Sequence, residues 1–216
     1  GGDAGKIDVW TDNMNMNQNV LRCCHEFGVD KLVSCLSPLA YSVDMGLKVP
    51  ATEKQLHSGA GVNPNLEVYA FPKRVLEFLS RSYREEYNSN FVTVMPSNIV
   101  GPTSLQSDGH VIGALITRCL EARDANTPFV IQGSGETYRQ FLYTSDLAKL
   151  LVWTLHNYDD PEYINLPGEE VQIKAVALRI AELLNFKGEV SFDRSHPDGP
   201  ERRTLSSEKL DGLCPN

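Results

Sequence analysis

The sequence has fewer basic than acidic residues. Its 216 residues include 20 lysines and arginines against 28 aspartates and glutamates, which gives a net charge of −8. Nonspecific nucleic-acid binding requires lysines and arginines that cluster against phosphates. We therefore expect no nucleic acid among the partners of this protein, and any phosphate must be bound by a few local side chains.

The sequence also lacks the patterns of a membrane protein, a zinc site or a disulfide framework. No apolar run approaches the ~20 residues of a membrane-spanning helix, and no signal peptide opens the chain. The cysteines are odd in number, without a Cys-x-x-Cys pair or a His/Cys spacing suited to zinc. They are Cys23, Cys24, Cys35, Cys119 and Cys214. These absences predict a cytoplasmic protein in a reducing compartment, with no metal and no membrane contact.

A glycine-rich dinucleotide loop is absent as well. Nowhere does a strand pattern run into GxGxxG or GxxGxxG, so the usual phosphate cradle at a helix N-terminus is missing from this sequence. The nearest stretch, GSGETYR at 133–139, lacks the third glycine and precedes QFLY instead of an apolar helix. Together with the abrupt opening GGDAGK, this predicts that an earlier half of a nucleotide-binding sheet is not part of the sequence.

The sequence does contain a regular alternation of helix and strand patterns. Apolar residues three or four apart predict helices over NMNQNVLRCCH, RVLEFLSRSYREEY, HVIGALITRCLEAR, SDLAKLLVWTLHNY and IKAVALRIAELLNF. Short apolar runs predict strands at 32–36 and over FVTVMP, PFVIQG, EYINLP and EVSFD. Thr144 or Ser145 is expected to cap the fourth of these helices. Such alternation predicts an α/β fold with a mainly parallel sheet, whose functional residues follow the carboxyl ends of the strands.

Ser37, Tyr69 and Lys73 are predicted to meet at that edge of the sheet. Ser37 ends the first strand pattern, Tyr69 begins the next helix and Lys73 lies one turn further on. A phenol with its pKa near ~10 is a poor acid or base at neutral pH, and a neighbouring ammonium lowers that value. A serine hydroxyl beside such a pair can hold a carbonyl or alcohol in line for hydride transfer. Pro72 is compatible with this helix because proline is tolerated in a first helical turn.

Six motifs along the chain extend this pattern: VSCLS, YAFPKR, VMPSNIVGP, DGHVIGALITR, YRQFLYTSDLA and SHPDG. In this order they resemble the GDP-L-fucose synthase family of extended short-chain dehydrogenase/reductases, from about Trp10 to Leu213. The family's first strands, its glycine-rich loop and its last helix have no counterpart here. The resemblance implies a partial Rossmann-like, mainly parallel α/β sheet with a smaller C-terminal α/β part. Residues 1–103 would form the later half of an NADP-binding domain, and residues 104–216 mainly a substrate-binding part with some segments that return to the Rossmann sheet.

The resemblance further implies an NADP(H)-dependent enzyme that epimerises C3 and C5 of GDP-4-keto-6-deoxy-D-mannose and then reduces its C4 ketone. Ser37, Tyr69 and Lys73 match the reductive triad, and His110 matches the acid of the epimerisation. The positions that match cofactor contacts are Lys73, Pro96, Ser97, Asn98, Ile99 and His110. Those that match contacts to the GDP-sugar are Arg118, Arg139 and Asp198, where guanidinium groups suit a diphosphate and Pro-Asp-Gly is also a common turn. A homodimer is implied in the same way.

Two positions depart from the family pattern. Leu39 stands where the family has the cysteine that acts as epimerisation base, and leucine cannot accept a proton. Cys35 lies two residues before Ser37, about 6.6 Å back along an extended strand, and cannot take that role without a register change. Gln132 stands where a tryptophan is usual, so an apolar wall is lost. Three interpretations stay open: an impaired fucose-synthase-type enzyme, a non-catalytic relative that is a structural or interaction subunit, and another nucleotide-sugar epimerase or reductase.

Overall fold

Helices and strands alternate along the chain, which confirms the predicted α/β class. The computed structural model describes residues 5–41, 43, 46–58, 61–102 and 110–214. The α-helices are α1 (Lys6–Glu26), α2 (Glu67–Tyr87), α3 (Val111–Ala125), α4 (Thr144–Asn157), α5 (Ile173–Leu183) and α6 (Glu208–Leu213). The strands are β1 (Leu32–Cys35), β2 (Phe91–Pro96), β3 (Asn98–Val100), β4 (Phe129–Gln132), β5 (Tyr138–Tyr143), β6 (Ile164–Leu166), β7 (Glu169–Gln172), β8 (Val190–Asp193) and β9 (Arg202–Arg203). Among the described residues, no helix combines the length and the apolar character needed to cross a membrane.

The central sheet consists of three parallel strands in the order β1-β2-β6. β2 has the sequence FVTVMP, and all six of its residues are buried. A strand that is covered on both faces carries apolar side chains on both, which explains why this run is continuous. Val94 pairs with Cys35 on one side and with Ile164 on the other. The three strands therefore end at one edge, and the segments that follow them lie side by side.

Further strands extend the fold beyond this sheet. β3 pairs parallel with β5, β5 pairs antiparallel with β7, and the short β9 adds parallel to β5. β4 and β8 form a separate parallel pair. The sequence patterns did not predict β3, β5, β7 or β9. β3, β7 and β9 have two to four residues, too few to show an alternation of apolar and polar side chains. In β5 the buried positions are Gln140 and Leu142, and the polar Gln140 interrupts the apolar pattern of the buried face.

Helix α2 carries Tyr69 and Lys73 and begins earlier than the sequence predicted. It starts at Glu67, so Tyr69 is its third residue and Pro72 its sixth, beyond the first turn in which proline was expected. A proline at this position has no N–H to donate to the carbonyl of the preceding turn. Asn17 of α1 donates its side-chain amide to the carbonyl of Pro72 at 2.8 Å, and this contact ties the two helices together.

The N-cap predicted for α4 is wrong. The cap residue is Tyr143, and Thr144 is already the first helical residue. β5 ends at Tyr143, so the strand runs directly into the helix and leaves no separate cap residue. The helix is fixed at its start by the strand, and a side-chain cap is not used there.

A buried polar network ties the segment between β1 and α2 to β6. The hydroxyl of Tyr41 lies 2.7 Å from that of Tyr163 and donates to Oδ1 of Asn165 at 3.0 Å. Asn165 is fully buried; its side-chain amide donates to the carbonyl of Ala51 at 3.0 Å, and its backbone N–H donates to the carboxylate of Glu53 at 2.9 Å. Buried polar groups need partners, and these contacts hold the segment in one position beside the central sheet.

Candidate active site

A cavity of about 550 Å³ opens beyond the carboxyl ends of β1 and β2. Ligands of open α/β sheets bind at this kind of edge because the loops that follow parallel strands converge there. The predicted site residues among its lining are Ser37, Tyr69, Pro96, Ser97, Asn98, Ile99 and His110. The fold therefore brings together residues that lie as far apart as positions 37 and 110 of the sequence.

Ser37 lies where β1 gives way to a short 3-10 turn, Pro38–Ala40. Its hydroxyl accepts a hydrogen bond from the backbone N–H of Leu39 at 3.4 Å, and the residue is only 8% exposed. Arg74 of α2 donates its Nε to the carbonyl of Ala40 at 2.8 Å. The turn that holds Ser37 and Leu39 at the cavity wall is thus bound to the helix that carries Tyr69.

Tyr69 and Lys73 lie one helical turn apart at the start of α2. The Lys73 Nζ is 5.7 Å from the centre of the Tyr69 ring and donates to the carbonyl of Cys35 at 3.3 Å. Burial lowers the pKa of the Lys73 ammonium, and the Cys35 thiol opposes that effect to a smaller extent. Lys73 itself does not line the cavity; it lies between the end of β1 and Tyr69, whose ring does. An ammonium in this position can stabilise a phenolate.

The segment from Pro96 to Ile99 passes from the central sheet into β3 and forms another wall of the cavity. Ser97 is 5% exposed, and its hydroxyl accepts from the backbone N–H of Gly168 at 2.9 Å. The side-chain amide of Asn98 donates to the carbonyl of Gln140 in β5 at 2.8 Å. Both polar side chains of this segment are therefore used to fasten it to neighbouring strands.

A second cavity of about 310 Å³ adjoins the first. The two share Asn98, Ile99, His110 and Arg203 as lining residues. His110 is the residue before α3 and makes no side-chain cap for that helix. Because of these shared walls, a ligand of sufficient length could extend from the Ser37 and Tyr69 region into the second cavity.

Two of the three predicted substrate-binding residues line the second cavity. Arg139 donates to the carbonyl of Pro200 at 3.0 Å. Asp198 accepts the backbone N–H of Ser134 at 2.9 Å, and its pKa is lowered first by a hydrogen bond from the Ser134 side chain and then by this N–H. Gly133 beside it has a φ of +85°, and a Cβ there would lie 2.5 Å from the Asp198 carboxylate. The GSG stretch is thus a tight turn that is closed by Asp198.

Arg118, the third, lies outside the lining of both cavities. Its Nη2 donates at 3.1 Å to Oε1 of Gln132, and Gln132 lines the second cavity. Arg203 was not identified from the sequence, although it lines both cavities. The basic pair RR at 202–203 was the available signal, but a strand of two residues carries no pattern.

Within the described part of the chain, no three His, Cys, Asp or Glu side chains are grouped as metal ligands would be.

The sequence and the fold of this chain are similar to those of nucleotide-sugar enzymes. The NAD dependent epimerase/dehydratase family matches residues 4–166. A GDP-L-fucose synthase of Dictyostelium discoideum is 41% identical over 98% of this chain and 67% of its own length. A crystal structure of a GDP-L-fucose synthetase from Naegleria fowleri bound to NADP has a TM-score of 0.90 at 39% identity, over 98% of this chain and 68% of that one. A GDP-mannoheptose C4 reductase from Campylobacter jejuni with NADP bound has a TM-score of 0.84 at 25% identity, over 97% and 69%.

Proposed function

The chain belongs to the NAD dependent epimerase/dehydratase family and, within it, to the GDP-L-fucose synthases, and on that premise we propose that it acts with NADPH on GDP-4-keto-6-deoxy-D-mannose. The observation that carries the proposal is the cavity in which Ser37, Tyr69 and His110 meet. The adjoining cavity, lined by Arg139 and Arg203, supplies guanidinium groups for the diphosphate.

The reductive step is assigned to Tyr69, Lys73 and Ser37. The Tyr69 hydroxyl gives its proton to the C4 oxygen as hydride adds to the C4 carbon, so the ketone becomes an alcohol and a phenolate remains. The Lys73 ammonium, 5.7 Å from the ring centre, stabilises that phenolate. Ser37 lines the same cavity, and its hydroxyl donates a hydrogen bond to the same carbonyl oxygen, which orients the ketone.

The cofactor proposed is NADP(H), which supplies the hydride when bound. Pro96 to Ile99 form a wall of the first cavity and suit the nicotinamide half of such a molecule. The 216 residues contain no glycine-rich loop for its pyrophosphate, so the fit concerns the nicotinamide half alone. The division into a nucleotide-binding part, 1–103, and a mainly substrate-binding part, 104–216, is part of this proposal; β6 from the second part pairs with β2 from the first.

Epimerisation is proposed to be impaired. Leu39 lines the first cavity at the position of the family's catalytic cysteine, and a leucine side chain cannot remove the C3 or C5 proton. Cys35 does not line the cavity, so its thiol is no substitute. This observation favours a second candidate function, the reduction of a GDP-4-keto sugar without epimerisation. One structural neighbour, from Campylobacter jejuni, is named a GDP-mannoheptose C4 reductase, and this name mentions reduction without epimerisation.

The test of the reductive proposal is NADPH consumption in the presence of GDP-4-keto-6-deoxy-D-mannose. Tyr69→Phe removes the proton donor and should lower kcat by about 10²-fold or more. Tyr87→Phe is the matched control, because Tyr87 lies at the far end of the same helix and is half exposed. A wild-type chain that neither consumes NADPH nor gains thermal stability from it would refute the catalytic proposal and favour a non-catalytic structural or interaction subunit.

The test of the epimerisation proposal is Leu39→Cys. The variant should gain solvent-deuterium exchange at C3 and C5 of the substrate, since a thiol then stands where the base is needed. Leu39→Ser is the control, because it changes the size and polarity of the side chain without adding a basic group. No gain of exchange in the cysteine variant would mean that more than the base is missing.

The proposed oligomer is a homodimer. α1 packs on α2 but has a single buried residue, Leu21, along its 21 residues. Its exposed apolar side chains include Ile7, Met16 and Val20. A second copy of the chain would cover this exposed apolar surface. The resemblance implies the same arrangement, in which the two helices of one copy pair with those of the other. Sedimentation equilibrium would decide the point, and a mass of one chain would refute it.

A further inference from the structure

A row of four polar side chains crosses the rim of the second cavity. Nη2 of Arg118 donates to Oε1 of Gln132 at 3.1 Å, and Nε2 of Gln132 lies 3.4 Å from Nε2 of His196. Nδ1 of His196 lies 3.0 Å from Oδ2 of Asp193. Of the four, only Gln132 lines the cavity. The other three therefore act on the cavity through the amide of Gln132.

The chemistry of the end groups fixes the direction of each hydrogen bond. A guanidinium only donates, so the Gln132 oxygen must face Arg118 and its nitrogen must face His196. An amide nitrogen only donates, so Nε2 of His196 carries the lone pair and Nδ1 carries the proton, which it donates to Asp193. Hydrogen bonds from Ser195 lower the pKa of Asp193, which keeps it an acceptor. One Nε2 hydrogen of Gln132 is left over in this arrangement.

We propose that Gln132 contacts the substrate by donating this remaining N–H to an oxygen of the nucleotide diphosphate, and that His196 and Arg118 are positioning residues that hold its amide. The substrate class rests on the function proposed above. The residue at 132 would then be a polar contact for the ligand, in the place where the family pattern has an apolar ring.

The arrangement depends on the lone pair of Nε2 of His196. Without this acceptor the amide of Gln132 is free to rotate, and its oxygen would leave Arg118. We expect loss of an amide contact to an anionic phosphate to weaken binding about tenfold.

The experiment is calorimetric titration of the chain with GDP at pH 7.5. Gln132→Leu should weaken GDP binding about tenfold. His196→Ala removes the acceptor for Gln132 and should weaken binding by a similar factor, whereas His196→Gln supplies a carbonyl oxygen in its place and should stay within about twofold of the wild type. His156→Ala, on α4, is the matched control and should bind GDP as the wild type does.

The outcomes separate this inference from the proposed function. If the wild-type chain binds no GDP, the proposed substrate class fails and the inference fails with it. If it binds GDP and Gln132→Leu binds equally well, the function stands and the role of Gln132 is wrong. If Gln132→Leu weakens binding but His196→Ala does not, Gln132 contacts the ligand and His196 does not position it.

Discussion

An added methyl group at Gly168 tests how firmly the two main sheets are joined beside the candidate site. Gly168 lies between β6 and β7, and its N–H donates to the hydroxyl of Ser97 at 2.9 Å. A Cβ on this residue would lie 2.0 Å from the carbonyl oxygen of Phe141 and 2.5 Å from the backbone nitrogen of Leu142. Both obstructing atoms belong to the backbone of β5, so no change of rotamer relieves the clash. Either β5 or the chain around Gly168 must move, and Ser97 loses its partner.

The expected loss of stability can be estimated from these two effects. Overpacking of a close-packed interior costs about 1–3 kcal/mol, and loss of one hydrogen bond adds about 1 kcal/mol. We expect Gly168→Ala to lower the free energy of unfolding by about 3 kcal/mol, a substantial part of the ~5–15 kcal/mol typical of a domain. Gly212→Ala is the matched control, because it lies in α6 and, apart from its own helix and chain neighbours, no atom of the described residues comes within 4 Å of the added Cβ. Alanine is the better helix former by about 1 kcal/mol, so the control should be unchanged or more stable.

The measurement is urea unfolding followed by far-UV circular dichroism on the wild type and both variants. NADPH titration of the folded variants adds a functional readout, since Ser97 lies in the wall proposed for the nicotinamide. A Gly168→Ala variant within about 0.5 kcal/mol of the wild type would refute the reasoning, because surface substitutions have effects of that size. Equal destabilisation of the Gly212→Ala control would refute it as well.

Three other residues give independent predictions. Asn165→Leu removes both side-chain hydrogen bonds of a fully buried amide, including the one from Tyr41, and should cost about 2–4 kcal/mol in urea unfolding; a cost below about 1 kcal/mol would contradict this. Burial raises the pKa of the Cys35 thiol, so iodoacetamide should modify it only above pH ~8.5, where an ordinary thiol ionises. Peptide mass spectrometry measures the modification, and modification below that pH would contradict the expected burial. The pKa of Asp159 is lowered, first by its hydrogen bond from Asn90. Its contribution to the free energy of unfolding is therefore present above the pKa of the unfolded chain, about 4, and is lost as the pH falls through the lower pKa of the folded state. In urea unfolding between about pH 5 and pH 2, Asn90→Ala should lose less stability than the wild type.

The predicted site was accessible from the sequence where it lies on long, regular elements. β2 is a continuous apolar run, and α2 has helical spacing over several turns, so the ends of both could be located. Parallel strands end at one edge of a sheet, and the helix that follows the first strand begins at that edge, so Ser37 is expected near Tyr69. The four-residue spacing of Tyr69 and Lys73 then puts both on one face of the helix.

The parts that sequence reasoning missed depend on contacts between distant segments. Arg203 reaches both cavities because the two-residue strand β9 joins β5, and nothing local in the chain predicts that pairing. Arg118 was expected to face the ligand, but the position of a side chain on α3 relative to Gln132 is decided by how α3 packs beside β4. The row of polar side chains that ends at Asp193 likewise joins α3, β4 and β8, and the sequence of no single element predicts it.

The two chemical steps proposed for this chain depend on different groups of the first cavity. Tyr69 and Lys73 lie on α2, and Ser37 caps the short turn that follows β1. Leu39 lies in that same turn, and what it contributes to Ser37 is its backbone N–H, which every residue except proline retains. A side-chain substitution at this position can therefore remove the epimerisation base and leave the Ser37 geometry unchanged. For the same reason Leu39→Cys reports on the missing base alone, whereas a substitution of Arg74, which holds the turn through the carbonyl of Ala40, should disturb both steps.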